Sequence, residues 1–278
     1  MRTNVRWMAL ALVAASAAFS PARADNNCGG RPKVATPFEP RVIVVGLTDD
    51  QRLVKFQECS PWRFRELGAV TGLLGSDTML VGIDYRVQDG LLYGVGNGGG
   101  VYTIDPSSAA ATMVSQLTVP LEGTSFGVDF NPAADRLRIV SDTGQNLRHN
   151  VIAGFTTLED LDLNYTAGTP TTGVTGAAYT NNDLDTNTGT TLFDVDSMLD
   201  QVVIQSPPNN GSLALTGKLG VDAGPSVGFD ISTRNRAFAS LVVDGTSGFY
   251  RVDPLTGSAR LIGKTDRPLA DIAVVIAP

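Results

Sequence analysis

The sequence predicts an all-β fold: a five-bladed β-propeller whose C-terminal strand closes the N-terminal blade. Three observations lead there. A four-residue pattern recurs, Gly82-Ile83-Asp84-Tyr85, Gly127-Val128-Asp129-Phe130 and Gly228-Phe229-Asp230-Ile231, with a weakened copy at Gly176-Ala177-Ala178-Tyr179. The copies are 45, 49 and 52 residues apart. Each opens a unit of four short apolar runs, and helical periodicity is absent beyond the first residues. Four strands in such a repeat mark a propeller blade.

The elements follow in order within each unit. The recurring pattern is the first strand. Leu91 to Val95, Leu137 to Val140, Thr191 to Val195 and Ala237 to Val242 read as second strands. Third strands run from Val101 to Asp105-Pro106 and from Phe249 to Asp253-Pro254, and Asn150 falls where Asp105 does. Fourth strands end near glycine, as in Lys218-Leu219-Gly220 and Arg260-Leu261-Ile262-Gly263. Asp89-Gly90, Asn210-Gly211, Asp244-Gly245 and Thr256-Gly257 lie between apolar runs, where hairpins need residues that tolerate positive φ.

The two ends complement each other. Val42 to Gly46 aligns with a second strand, so the first unit lacks its own first strand. Asp271-Ile272-Ala273-Val274 looks like a first strand with nothing after it. Ring closure joins them and removes both open edges. The count is five blades, because a sixth would need about 45 further residues at this repeat length. An open pair of β-sandwiches is the structural alternative.

Composition agrees with a globular chain. Of 278 residues 42% are hydrophobic and 18% charged, too apolar for a disordered segment. The 30 glycines show no three-residue period. The start reads as a secretory leader: Arg2 and Arg6, an apolar run from Met8 to Phe19, then Ala22-Arg23-Ala24 as a cleavage site. That run is shorter than the roughly 20 residues of a membrane span. A retained anchor is the alternative. The expected organisation is a signal peptide over 1–24, a Pro-rich tail over 25–41 and one propeller over 42–278, secreted or periplasmic, without membrane insertion.

The leader holds three of the 21 bases (Arg2, Arg6, Arg23) and no acid, which leaves 18 bases against 28 acids, a net charge of −10. Such a chain repels phosphate backbones, so nucleic acid is a poor partner. A cation is compatible. In an oxidising compartment Cys28 and Cys59 are expected to pair, which would staple the tail to the first blade. Two free thiols are the alternative.

Three stretches are distinctive: Arg138-Ile139-Val140-Ser141-Asp142-Thr143-Gly144-Gln145-Asn146-Leu147-Arg148, Ala178-Tyr179-Thr180-Asn181-Asn182 and Gln205-Ser206-Pro207-Pro208-Asn209-Asn210-Gly211. In these the chain resembles the bacterial domain-of-unknown-function family 4394, from about Val42 to Ile276. The resemblance implies an exported bacterial protein with a propeller-like repeat and no established activity. It supplies no catalytic residues to carry over.

Several motifs invite a chemical reading. Gly94-Val95-Gly96-Asn97-Gly98-Gly99 matches G-x-G-x-x-G, but a strand follows it, where a dinucleotide site needs a helix N-terminus. It reads as a hairpin turn. Gly123-Thr124-Ser125-Phe126-Gly127 matches G-x-S-x-G, but the Ser precedes a first strand and His149 is the only histidine. One imidazole is too few for a histidine-rich metal site. Asp84, Asp129 and Asp230 share one position of the first strand, which lines a propeller's channel. They are the candidate central cation site, with Ala178 and Ala273 at the other two positions. The alternative is that each accepts backbone N–H bonds and fixes blade packing. Asp183, Asp185 and Asn187 place oxygens at alternate loop positions, as calcium loops do, with Asp194 eleven residues after Asp183. Calcium is thus the one candidate cofactor, and an exposed polar turn is the alternative.

No complete catalytic set emerges. The sequence favours an exported binding or scaffold module, using the rim where loops converge on a protein or glycan ligand. The alternatives are a cation-dependent, lactonase-like hydrolase built on Asp84, Asp129 and Asp230, and a purely structural envelope protein.

Overall fold

The computed structural model describes residues 41–276 except residue 186. The expected leader and Cys28 lie outside the described residues, so only Cys59 of the expected bridge is within them. Among the described residues no helix is long and apolar enough to cross a membrane.

Twenty strands form five four-stranded antiparallel sheets. Blade 1 contains β1 (Ile43–Thr48), β2 (Arg52–Gln57) and β3 (Arg65–Ala69). Blade 2 is β4 (Leu80–Tyr85), β5 (Leu92–Gly96), β6 (Gly100–Asp105) and β7 (Ala110–Gln116). Blade 3 is β8 (Phe126–Asn131), β9 (Arg136–Ser141), β10 (Asn146–His149) and the two-residue β11 (Leu158–Glu159). Blade 4 is β12 (Val174–Tyr179), β13 (Leu192–Asp196), β14 (Gln201–Gln205) and β15 (Leu213–Lys218). Blade 5 is β16 (Ala223–Ile231), β17 (Ala237–Val243), β18 (Thr246–Val252) and β19 (Ala259–Lys264). The last strand, β20 (Leu269–Val274), returns to blade 1 and pairs with β1, setting Val44 opposite Val274 and Gly46 opposite Ile272. The predicted closure is therefore present, and β1 has no open edge.

The inner strands touch in the order β4, β8, β12, β16, β20 and back to β4. Burial falls from the axis outward. Every residue of β12 is buried, whereas β3 has no buried residue. The core divides into five apolar clusters, one at each blade–blade interface. Where the ring closes, Phe249 of blade 5 stacks on Phe238 at 5.3 Å and meets Phe56 of blade 1 edge-on at 5.1 Å. Buried aromatics carry large apolar area, so this seam is well held. The β17–β18 link is a two-residue hairpin in which Asp244 (φ 50°) and Gly245 (φ 70°) both take the left-handed conformation that matches strand twist.

Candidate functional site

The recurring Gly-x-Asp pattern has one geometric explanation. At the axis the first strands run side by side without sharing a sheet, so Gly127 and Gly228 let the next backbone approach, while Gly82 makes room for the Val128 side chain. A Cβ on Gly127 would stand 2.5 Å from the Ala177 nitrogen, and one on Gly228 would stand 2.7 Å from the Ile272 nitrogen. Each Asp then reaches the following blade. Asp84 Oδ2 accepts the Phe130 N–H at 2.8 Å, Asp129 Oδ1 accepts that of Tyr179 at 3.1 Å, and Asp230 Oδ2 accepts that of Val274 at 2.5 Å.

Asp271, which the sequence reading left out of the ring, makes the fourth link by accepting the Ile83 N–H at 2.8 Å. It lies two residues before Ala273, at the position where the other blades have glycine. A position-by-position comparison passes over it for that reason. Only the step from blade 4 to blade 5 has Ala178 where an Asp would be.

These carboxylates are buried, none more than 5% exposed. Burial raises the pKa of Asp84 and Asp129 well above the carboxylate range, and the charge of neighbouring aspartates adds to it. Burial raises Asp230 to about 7 against the backbone bonds that lower it, and burial with the added charge of Asp230 raises Asp271 well above the carboxylate range. Asp84, Asp129 and Asp230 have carboxylate oxygens within 4.8 Å of one another. Carboxylates this close either hold protons or hold a cation. Their hard-oxygen donor set suits calcium, and Asp129 Oδ2 has no hydrogen-bond partner. One oxygen of each axial Asp joins strands, while Asp230 Oδ1 and Asp271 Oδ1 accept the N–H of the next residue in their own strands, Ile231 and Ile272.

A second polar group lies between blades 3 and 4. Arg138, on β9, is 3% exposed and stands opposite Asp129, where the other second strands carry Tyr93, Phe193, Phe238 or Val45. Its guanidinium donates to Asn146 Oδ1 and Asp160 Oδ2, both at 2.7 Å, to Asn209 Oδ1 at 2.9 Å and to the Tyr179 hydroxyl at 3.3 Å. Arg148 Nε adds a second bond to Asp160, at 3.0 Å. Across the interface Asp194 is completely buried, with neither oxygen hydrogen-bonded, and burial drives its pKa well upward against the opposing charge of Arg138.

Outside this cluster a cavity of about 240 Å³ opens, lined by Arg136, Arg148, Tyr179, Pro208 and Asn209 among others. All three of the distinctive sequence stretches meet there. The outlier Arg138 at a second-strand position was the signal for this site.

A cavity of about 260 Å³ lies at the same end of the ring, on the other side of the Pro132–Asp135 turn, and includes Asp183 and Asp185. In that loop Asp183 Oδ1 accepts from the Asp185 N–H and the Thr188 hydroxyl, both at 2.8 Å. Asp185 Oδ1 accepts from the Asn187 backbone at 2.9 Å, which holds its carboxyl below the usual range. Asp183, Asp185 and Asn187 are thus brought together in an exposed loop, while Asp194 is inside the sheet.

The remaining motifs take structural positions. The glycine-rich turn between β5 and β6 wraps Asp77, whose carboxylate accepts from Gly98, Gly100 and the Tyr102 hydroxyl. His149 is fully buried, with Ser115 Oγ at 3.0 Å and Thr157 Oγ1 at 3.1 Å, and burial lowers its pKa to about 4. The Ser125 it would serve in a triad is not among its partners.

The fold and these sites define a five-bladed propeller whose inner strands are joined by carboxylates and which has two open cavities on one rim. Residues 52–273 match the family described as "Domain of unknown function (DUF4394)", and the chain belongs to that family. No curated protein matches it. Among solved structures, a chain of a nidogen/laminin complex has 9% identity over 85% of this chain and 99% of its own, with a TM-score of 0.48. A protein of unknown function from Bacteroides thetaiotaomicron has 13% identity over 84% and 66%, at 0.47. Virginiamycin B lyase from Staphylococcus aureus has 12% identity over 84% and 69%, at 0.43.

Proposed function

We propose that the chain is an exported binding or scaffold module that engages its partner through the rim around the Pro132–Asp135 turn. The observation that carries this is the division of polar groups. The axial carboxylates are buried and joined to neighbouring strands, whereas two cavities lie on one end of the ring, either side of this turn. Export rests on the leader sequence.

The test is an array of immobilised glycans and peptides probed with residues 25–278 and with an Ala133→Trp variant, which places bulk between the cavities. Binding by the natural sequence and its loss in the variant supports the rim. Equal binding by both contradicts it.

A second reading is a cation-dependent hydrolase, favoured by the unpartnered Asp129 Oδ2. It predicts ester or lactone hydrolysis that EDTA and Asp129→Ala both abolish. The Asp183, Asp185 and Asn187 loop is a separate calcium proposal that does not depend on either reading.

A further inference from the structure

We infer that the cavity between blades 3 and 4 binds the carboxylate of a small organic acid. The inference deepens the rim-binding reading and rests on it. The argument begins with donors. Arg148 engages Asp160 through Nε alone, so its two terminal nitrogens have no protein acceptor among the described residues. Arg136 donates through Nη1 to the carbonyls of Ala134 and Asp135, leaving Nη2 and Nε without one. The Tyr179 hydroxyl accepts from Arg138, which leaves its proton to donate. Asn209 accepts from Arg138 through Oδ1, so its amide nitrogen can donate. A wall of donors calls for a ligand that only accepts, and a guanidinium fork matches the two oxygens of a carboxylate.

Charge points the same way. Arg138 and Arg148 share the carboxylate of Asp160, and Arg136 lines the same cavity, in a chain whose net charge is −7. Arg138 is a buried anchor that fixes Tyr179 and Asn209, while the partly exposed Arg136 and Arg148 meet the ligand.

Size and lining select an organic anion over a bare one. About 240 Å³ is the space of roughly eight waters in the liquid, more than a phosphate or sulfate fills. Ala134, Pro207 and Pro208 give the carbon body an apolar surface.

The experiment follows the Arg148 Nε–Hε resonance, pinned by Asp160, in residues 25–278 at constant ionic strength. The probes are malate, citrate and glucuronate, with glucose as the uncharged counterpart and inorganic phosphate as the bare anion. At least one acid is expected to saturate with a dissociation constant near 1 mM or tighter. Arg148→Gln and Arg136→Gln, read by calorimetry, are each expected to weaken it about ten-fold. Three results overturn the inference: no saturation by any acid, phosphate binding as tightly as the best acid, or binding unchanged in both variants. Array binding that Ala133→Trp abolishes while no acid moves the Arg148 signal removes this inference and leaves the rim reading standing.

Discussion

Asp230 offers a direct way to read the axis. Its carboxyl accepts the N–H groups of Ile231 and Val274 and is 2% exposed, and burial raises its pKa to about 7 from the ordinary 3.8. A folded pKa above the unfolded one gives stability that is fully present below the unfolded value and is lost as pH rises through the folded value. The window therefore runs from about pH 4 to about pH 7. The shift of about 3 units corresponds to about 4 kcal/mol at about 1.4 kcal/mol per unit. Asp230→Asn has the shape of the protonated acid and cannot ionise. The assay is urea unfolding in EDTA from pH 4 to pH 8, comparing the variant with the natural sequence. The difference near pH 4 is the baseline, since the Asn amide has one acceptor oxygen for the two N–H groups. By pH 8 the variant should have gained a few kcal/mol over the natural sequence relative to that baseline. Parallel stability curves would refute the argument, because they would mean that Asp230 has the same pKa folded and unfolded.

Other consequences are equally specific. Asp194→Ala places at β13 what β17 carries at Ala239 and removes a buried carboxylate without hydrogen bonds, so stability at pH 8 should rise by about 1–3 kcal/mol, and less at pH 5, because burial raises the carboxyl's pKa and its cost grows as pH rises. A thermal scan at both values checks it, since about 1 kcal/mol moves a domain of this size by roughly 2–4 °C. Gly127→Ala drives a methyl into the β12 backbone and should cost about 2–3 kcal/mol in urea unfolding, whereas Gly90→Ala, with nothing near its Cβ, should cost less than that despite its positive φ. Removing residues 269–278 takes β20 from blade 1 and uncovers Val44 and Phe56. The truncated chain should lose its single cooperative urea transition.

The architecture was legible because each blade repeats its own local pattern. Gly-x-Asp at a recurring interval, turn residues between apolar runs, and complementary ends fix strand number and closure together. The role of the axial aspartates was open in the sequence. A carboxylate at a shared position is equally consistent with a cation ring and with a strand-to-strand link, and the distances to Phe130, Tyr179 and Val274 show the link while Asp129 Oδ2 stays outside it. Asp271 was hidden because it makes the same link from a different register position. The arginine cavity was hidden for another reason. Arg136, Arg148, Tyr179 and Asn209 come from four segments over two blades, and no spacing along the chain announces their meeting. The distinctive stretches contained Arg148, Tyr179 and Asn209 but not Arg136, and the convergence is a property of the ring.

The central proposal is that the axial carboxylates, which join neighbouring blades, do so without a catalytic cation. Thermal unfolding of residues 25–278 in excess calcium and in EDTA, alongside Asp129→Asn, tests it most directly. A ligand at a hundred times its dissociation constant stabilises by about 2.7 kcal/mol. The account predicts that any calcium shift persists in Asp129→Asn, and that one arising in the exposed loop disappears in Asp183→Ala with Asp185→Ala. A calcium shift abolished by Asp129→Asn alone would contradict it and put a metal at the axis.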